Sequence, residues 1–167
     1  MRYYAGIGSR ETPEFVCSVM SDIARFLAYN GYILRSGHAK GADQAFESGC
    51  DRAKGNKEIY LPWKGFEGSD SPYFNQSQLA FDMAKKYHPR WDGLSQGARH
   101  MHARNCYQVF GIDLDRPVDF VVCWTDGGKG SGGTGQVLRI AKSGCIPILD
   151  LGVYEHKYAM IEAFRKL

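Results

Sequence analysis

The 167-residue sequence lacks several features that mark whole classes of protein. It has no run of 18 apolar residues, no apolar segment after Met1 of the kind that forms a signal peptide, and no block of basic residues. Its 21 Lys and Arg residues are balanced by 18 Asp and Glu residues, with the two signs interspersed. These absences argue against a membrane span and a secretion signal, and composition alone does not indicate a nucleic-acid or membrane binder. We therefore expect a cytoplasmic protein.

Signatures of metal sites and disulfide frameworks are absent as well. The five cysteines are odd in number and include no C-x-x-C pair; they are Cys17, Cys50, Cys106, Cys123 and Cys145. No H-E-x-x-H motif occurs, and His100 and His102 would diverge by about 200° on a helix. The sequence therefore predicts reduced, buried thiols, no structural metal and no resident cofactor.

Short apolar runs alternate with longer amphipathic stretches, which predicts a single α/β domain over residues 1–167. We expect an open parallel sheet of about five strands with helices on both faces. The predicted strands are Arg2–Ala5, Tyr32–Arg35, Lys57–Leu61, Asp119–Trp124 and Ile146–Leu149. The predicted helices are Pro13–Tyr29, Ala42–Lys54, Gln76–Tyr87, Ser95–Phe110, Thr134–Ser143 and Glu155–Lys166. In the first helix, an apolar stripe is formed by Phe15, Val19, Ile23, Phe26 and Leu27, and residues 62–75 are predicted to be a long ordered loop.

Glycine-rich turns follow three of the predicted strands. The first is Gly6-Ile7-Gly8-Ser9-Arg10, the second is Ser36-Gly37-His38-Ala39-Lys40-Gly41, and the third holds six glycines within residues 125–136. In an open parallel sheet, ligands bind beyond the carboxyl ends of the strands, where helix N-termini attract anions. Three such turns at one edge predict a phosphate cradle, although the third would also serve as a plain flexible connector. The spacings match neither the Walker motif nor the G-x-G-x-x-G dinucleotide fingerprint, so an NAD site is not expected.

Basic side chains near these turns predict a positively charged rim, because guanidinium groups suit phosphate oxygens. The residues in question are Arg10, Arg35, Arg104, Lys40 and Lys129. Arg99 and Arg104 lie five positions apart on the predicted fourth helix and would flank one site, with Asn105 beside them. For the two lysines, a solvated surface position is an equal alternative.

Asp43 and Glu47 share one face of the predicted second helix at i and i+4. A carboxylate there would hold ribose hydroxyls, or act as acid or base in cleaving an N-glycosidic bond through an oxocarbenium-like transition state. Favourable electrostatics at the helix N-terminus are an equal alternative for Asp43. The aromatic residues Trp63, Phe66, Tyr73 and Phe74 of the long loop would stack on a nucleobase, pack as a satellite core or form a subunit contact. For His102 a structural role is favoured over contact with a ligand.

The chain resembles the SLOG superfamily of Rossmann-like proteins, which includes the DprA DNA-processing proteins and the LOG phosphoribohydrolases. The resemblance rests on Ala5-Gly6-Ile7-Gly8-Ser9-Arg10, on Ser36 to Asp43, on Arg104-Asn105 and on Gly132-Gly133-Thr134-Gly135. It covers most of the chain, from about Tyr3 to Leu149, and is greatest for small stand-alone members of phages and bacteria. It implies a nucleotide or nucleotide-derived ligand at the glycine-rich edge, a homo-oligomer of two or more subunits and, for a phage-encoded protein, the host cytoplasm.

The resulting candidate site has two parts. The candidate catalytic residues are Asp43, Glu47 and Arg104. The candidate ligand-binding residues are Gly6, Gly8, Ser9, Arg10, Arg35, Ser36, Gly37, Lys40, Arg99, Asn105, Gly132, Gly133, Thr134 and Gly135.

The sequence also departs from the family patterns. The LOG signature P-G-G-x-G-T-x-x-E, aligned on Gly132-Gly133, places Gln136 at the threonine and Arg139 at the catalytic glutamate. DprA proteins usually carry additional domains, which 167 residues do not hold. Three functions remain: hydrolysis of the base–ribose bond of a nucleoside 5'-monophosphate, non-catalytic binding of a nucleotide second messenger, and binding of single-stranded DNA.

Overall fold

Five parallel strands form one sheet in the structure, a computed structural model that describes residues 1–167. The strands are β1 (Arg2–Gly6), β2 (Tyr32–Ser36), β3 (Lys57–Ile59), β4 (Phe120–Cys123) and β5 (Ile148–Asp150), in the order β3-β2-β1-β4-β5. The helices are α1 (Glu14–Tyr29), α2 (Ala42–Arg52), α3 (Gln78–Lys86), α4 (Gln96–Phe110), α5 (Gly132–Ser143) and α6 (Lys157–Arg165). The predicted single α/β domain with an open parallel sheet is therefore confirmed.

Helices cover both faces of the sheet, so the central strands are apolar throughout. All four residues of β4, Phe-Val-Val-Cys, are buried. Successive side chains point to opposite faces: Tyr4 joins the core beneath α1, α2 and α6, whereas Tyr3 and Ala5 join the core beneath α3, α4 and α5. This alternation gives the domain two apolar cores of similar size, one on each side of the sheet.

The strand order reverses beside β1, which pairs with β2 on one side and with β4 on the other. The helix after β1 lies on one face of the sheet and the helix after β4 lies on the opposite face. The loops that leave these two neighbouring strands therefore diverge and leave a crevice at the carboxyl edge, where open α/β sheets bind ligands.

Several predicted boundaries and one predicted apolar face differ from the structure. Helix α1 begins at Glu14 with Pro13 as its N-cap, and Phe15 and Phe26 are 53% and 56% exposed, so they do not belong to its buried stripe. Strand β5 begins at Ile148 rather than Ile146, because Pro147 has no N–H to donate to the sheet. The other ends that differ do so by one or two residues, and the long loop contains a short 3-10 turn at Phe66–Gly68.

The cysteines are all free, as the sequence predicts, but they are not all buried. Cys50, Cys106 and Cys123 are buried, Cys17 is half-buried and Cys145 is exposed. Cys145 lies in the turn after α5, outside the apolar cores. None of the helices is both long enough and apolar enough to cross a membrane.

Candidate functional site

A cavity of about 400 Å³ opens at the carboxyl edge of the sheet. Its walls come from the turn after β1, the turn between β2 and α2, one face of α4 and the first turn of α5. The crevice at the reversal point of the strand order thus holds the cavity. Of the three glycine-rich turns, the one after β1 lines the cavity with Gly8 and the one before α5 lines it with Gly132 and Gly133. The turn between β2 and α2 contributes Ala39.

The first turn of α5 presents free backbone N–H groups to this cavity. The side chain of Ser131 does not cap the helix, and no acidic residue lies in its first turn. The first N–H with a partner is that of Gly135, which donates to the Ser131 carbonyl at 3.2 Å, so those of Gly132, Gly133 and Thr134 have no acceptor in the protein. An uncapped helix N-terminus of this kind attracts anions.

The side chains around this turn leave it open. A Cβ atom on Gly132 or Gly133 would meet nothing within 4 Å, and the φ of +68° at Gly132 favours glycine. The hydroxyl of Thr134, a residue only 8% exposed, lines the same cavity without a hydrogen bond in the protein.

Arg104 on α4 brings a buried positive charge to the cavity wall, and the residue is 3% exposed. Its Nε donates to Asn105 Oδ1 at 3.1 Å, and its Nη1 donates to the carbonyl oxygens of Gly37 at 2.5 Å and Tyr60 at 3.2 Å. Its Nη2 has no hydrogen-bond partner in the protein. Burial lowers the pKa of Arg104 and the charge of Asp43 opposes that change, but a guanidinium stays protonated.

Asp43 lies in the first turn of α2 and is buried in the wall of the same cavity. Its Oδ2 accepts a hydrogen bond from the Ala39 N–H at 3.4 Å. Burial raises the pKa of Asp43 to about 6, although the Arg104 charge and the amides of Ala39 and Gly8 favour the ionised form. The carboxyl group therefore titrates close to neutral pH, where a general acid or base is most effective.

A hydrogen-bond network centred on Gln136 fixes the side chains behind the cavity. Gln136 Oε1 accepts from His102 Nδ1 at 2.7 Å and from Asn105 Nδ2 at 3.2 Å, while its Nε2 donates to the Ala84 carbonyl at 3.2 Å. The His102 ring therefore carries its proton on Nδ1 and offers Nε2 as an acceptor. Burial lowers the pKa of His102, and nearby cationic groups add to this, which keeps the ring neutral.

The cavity unites nine of the residues predicted from the sequence. They are Gly8, Ser9, Arg10, Asp43, Arg104, Asn105, Gly132, Gly133 and Thr134. Gly37 lies one layer behind the wall, where its carbonyl holds Arg104. Gly6 and Ser36 bond to each other, since Ser36 Oγ donates to the Gly6 carbonyl at 2.6 Å, and Gly135 packs on the Gly130 carbonyl.

Three predicted residues point away from the cavity, each toward a partner of its own. Arg35 is buried with its Nε 2.7 Å from Glu58 Oε2 and its Nη1 2.6 Å from the Arg116 carbonyl. Glu47 binds His38 Nδ1 at 2.5 Å and Lys57 Nζ at 2.7 Å on the outer side of α2. Arg99 projects from a different face of α4 than Arg104, with its guanidinium over the Trp91 ring.

The positively charged rim is consequently smaller than the sequence indicates. Lys40 is exposed and its Nζ lies 3.8 Å from Glu67 Oε2, and neither Lys40 nor Lys129 lines the cavity. Arg10 also pairs with Glu67, at 3.7 Å, but remains in the wall. Arg10 and Arg104 are thus the two cationic side chains at the cavity.

The aromatic residues of the long loop do not form a continuous exposed surface. Phe66 is buried, with the guanidinium carbons of Arg10 and Arg104 lying 5.9 and 5.8 Å from its ring centre. Phe74 packs against the core beneath α1 and α2, while Trp63 and Tyr73 are partly exposed. Most of this loop therefore packs as a satellite of the core.

Sequence reasoning missed most of one wall of the cavity, the face of α4. Ala98, Met101, His102, Asn105 and Gln108 follow the i, i+3, i+4, i+7, i+10 spacing of a single helix face. The sequence shows that spacing, but of these five residues only Asn105 is among the predicted ligand-binding residues. The other lining residues that were not chosen are Ile7, Glu11, Ala39, Ser131 and Val137. No group of three or more His, Cys, Asp or Glu side chains is arranged to hold a metal ion.

Comparisons with known proteins bear on the fold. No protein-family model matches the sequence, and no curated protein matches it either. The Moco carrier protein of Chlamydomonas rheinhardtii is similar in structure, with a TM-score of 0.58, 16% identity, and coverage of 90% of this chain and 76% of that one. The structural-genomics target TM1055 is also similar, with a TM-score of 0.53, 20% identity, and coverage of 89% and 72%. These likenesses show a Rossmann-like fold.

Proposed function

We propose that the protein binds a phosphate-bearing small molecule, a nucleotide or a molecule derived from one, with its phosphate against the first turn of α5 and Arg104. One observation carries the proposal: several donors that have no partner in the protein converge on a single cavity. They are Nη2 of Arg104, the Thr134 hydroxyl and the N–H groups at the start of α5.

These donors lie on the surface of the cavity and are not sealed from solvent, so a ligand that enters the cavity can accept their hydrogen bonds. The guanidinium and amide groups can only donate. Their complement is an anion with many acceptor oxygens, and phosphate fits this description best. Arg10 at the cavity wall adds a second positive charge.

The remainder of the cavity suits an organic group attached to that phosphate. A volume of about 400 Å³ is that of a small-molecule site. Ile7, Ala98, Met101 and Val137 supply an apolar surface for a flat ring. The fold likeness to a protein named as a carrier of Moco supports a small-molecule ligand, and the glycine motifs support membership of the SLOG superfamily.

The test compares ligands with and without phosphate. We expect inorganic phosphate and nucleoside 5'-monophosphates to raise the melting temperature and to bind in calorimetric titrations, and we expect the corresponding nucleosides to bind at least about tenfold more weakly. Binding should weaken as salt rises, because the contacts are ionic. Nucleosides that bind as tightly as their monophosphates, or an absence of binding by every phosphate compound, would contradict the proposal.

A second candidate function, hydrolysis of the base–ribose bond, is favoured by Asp43. In this reaction the C1'–N bond breaks with its electron pair going to the base, the oxygen of water bonds to C1', and the proton released by water ends on the base. Asp43 would stabilise the positive charge at C1' or carry the proton, since its pKa of about 6 suits either role.

Chromatography of free base after incubation with the common nucleoside 5'-monophosphates tests this activity. Asp43→Asn should abolish base release while Glu47→Gln, altered outside the cavity on the same helix, retains it. If the wild-type protein binds a monophosphate and returns it intact, the protein is a binder without turnover, which the missing LOG glutamate favours.

Two further expectations concern macromolecular partners. Binding of single-stranded DNA has little support, because Phe66 and Phe74 are packed inward and Lys40 is paired with Glu67. Assembly into a homo-oligomer stays a prediction, which sedimentation equilibrium would test.

A further inference from the structure

Two buried glutamines in this protein differ sharply in their hydrogen bonds. Gln136 is 0% exposed and bonds to His102, Asn105 and the Ala84 carbonyl. Gln108 is 2% exposed, lines the cavity, and makes no hydrogen bond in the protein with either end of its amide. Neither atom of the amide is sealed from solvent, so the Gln108 side chain presents a donor and an acceptor to the cavity, and both are available to a ligand.

Gln108 and Asp43 flank the same short turn. A Cβ atom on Gly37 would lie 2.6 Å from Gln108 Nε2, so the amide is packed directly against that residue. Two positions along, the N–H of Ala39 donates to the Asp43 carboxylate at 3.4 Å. The amide and the carboxylate therefore border one region of the cavity, on either side of the turn from Gly37 to Ala39.

The charges around the cavity assign different parts of a ligand to different regions. The N–H groups at the start of α5 attract an anion, whereas beside Asp43 the carboxylate offsets the positive charge of Arg104. The group beside Asp43 should thus be neutral and able to donate hydrogen bonds to a carboxylate. It should also complement an amide, which offers one donor group and one acceptor atom.

A pair of adjacent hydroxyl groups meets these requirements, because each hydroxyl both donates and accepts. We infer that Gln108, together with Asp43, binds the two ring hydroxyls of a ribose, so that the site selects ribonucleotides over 2'-deoxyribonucleotides. This inference rests on the proposed function, and it adds that the protein recognises the sugar of the ligand as well as its phosphate. Gln108 is then a specificity-determining residue that completes its hydrogen bonds only when ligand is bound.

Sugar phosphates without a base provide the direct test. Ribose 5-phosphate should bind the wild-type protein at least about tenfold more tightly than 2-deoxyribose 5-phosphate, since the deoxy sugar leaves buried polar groups unpaired. Inorganic phosphate, titrated separately, reports on the phosphate site alone. If inorganic phosphate and both sugar phosphates fail to bind, the proposed function fails; if the two sugar phosphates bind equally, only the present inference fails.

The pair of glutamines supplies matched variants for a second measurement. Gln108→Leu removes an unpaired amide and should leave the melting temperature unchanged or raise it, whereas Gln136→Leu breaks three hydrogen bonds and should lower it clearly. Gln108→Leu should also reduce the preference for ribose 5-phosphate to less than about threefold while leaving the affinity for inorganic phosphate unchanged. A loss of melting temperature equal to that of Gln136→Leu, or an undiminished sugar preference, would overturn the inference.

Discussion

The Nη1 atom of Arg104 donates a hydrogen bond to the carbonyl oxygen of Gly37 at 2.5 Å, and a Cβ atom on residue 37 would overlap that same nitrogen. The absence of a side chain at Gly37 is therefore what allows the guanidinium to lie against the turn after β2. The glycine acts on the cavity from behind its wall, by setting the position of the buried charge. A glycine that does not itself line the cavity can therefore still be essential for binding.

Replacing Gly37 with alanine should displace Arg104 and its neighbour Gln108. We expect the free energy of unfolding to fall by about 1–3 kcal/mol, as in other overpacked sites, and phosphate affinity to fall by at least about tenfold. Urea denaturation and calorimetric titration measure the two effects. Gly97→Ala is the matched control, because Gly97 lies exposed in the first turn of α4 with nothing within 4 Å of a Cβ atom. It should be neutral or stabilising by up to about 1 kcal/mol.

A negative charge placed at the start of α5 should stabilise the empty protein and block its ligand. Gly133 has room for a side chain, and an aspartate there would interact favourably with the helix N-terminus by about 0.3–1 kcal/mol. The same carboxylate would repel phosphate from the N–H groups it binds. Gly133→Asn, which has the same shape without the charge, should retain most phosphate affinity. Equal phosphate binding by the two variants would contradict an anion site at this turn.

The free energy of unfolding should depend on pH because of the titration of Asp43. Burial raises its pKa from 3.8 to about 6 in the folded state, so the folded protein holds the proton more tightly than the unfolded chain. The stabilisation is therefore fully present below about pH 4, is lost as the pH rises to about 6, and stays lost above that. Asp43→Asn should gain up to about 3 kcal/mol over the wild type between pH 4 and 7 in urea denaturation series.

The Glu47→Gln variant is a control for that measurement, because its effect on stability should change with pH in the opposite direction. Burial alone would raise the pKa of Glu47, but hydrogen bonds from Lys57 and His38 outweigh it and lower the pKa. Ionised Glu47 thus stabilises the fold at neutral pH and loses this effect on acidification. The Gln variant should be less stable than wild type at pH 7, with a difference that shrinks as the pH falls.

Arg35 should matter for stability and not for ligand binding. Its guanidinium is buried against Glu58 and the Arg116 carbonyl, away from the cavity. Arg35→Met should reduce the free energy of unfolding by about 3 kcal/mol, because it leaves the Glu58 carboxylate without its cationic partner and with only the Tyr60 hydroxyl as a donor. It should leave phosphate affinity within about twofold of wild type. A large loss of phosphate affinity in a folded Arg35→Met protein would contradict this assignment.

The architecture was accessible from the sequence because its signals are local. The apolar run Phe120–Cys123 indicates a buried strand by itself, and glycines after three strands mark the edge where the chain turns. Once the sheet is taken as parallel, Gly8 and Gly133 must approach each other, since the carboxyl ends of parallel strands share one edge. This reasoning requires no knowledge of side-chain orientation.

The orientation of individual side chains was not accessible in the same way. Arg35 precedes a glycine-rich turn just as a ligand-binding residue would, but its direction depends on the strand pleat and on Glu58 of the neighbouring strand, with which it is in register. Glu47 likewise turns outward, because its carboxylate binds Lys57 at the start of β3, a residue distant in the sequence. The lack of a partner for Gln108 depends on every side chain around it, which no local pattern encodes.

The reversal of strand order beside β1 has a mechanical consequence. The β1 and β2 turns that build one side of the cavity come from the first 52 residues, while α4 and α5 on the other side come from residues 96–143. A bound molecule would bridge these two portions of the chain across the cavity. Binding of the ligand should then slow amide hydrogen exchange throughout both portions of the chain, and not only at the residues that contact the ligand.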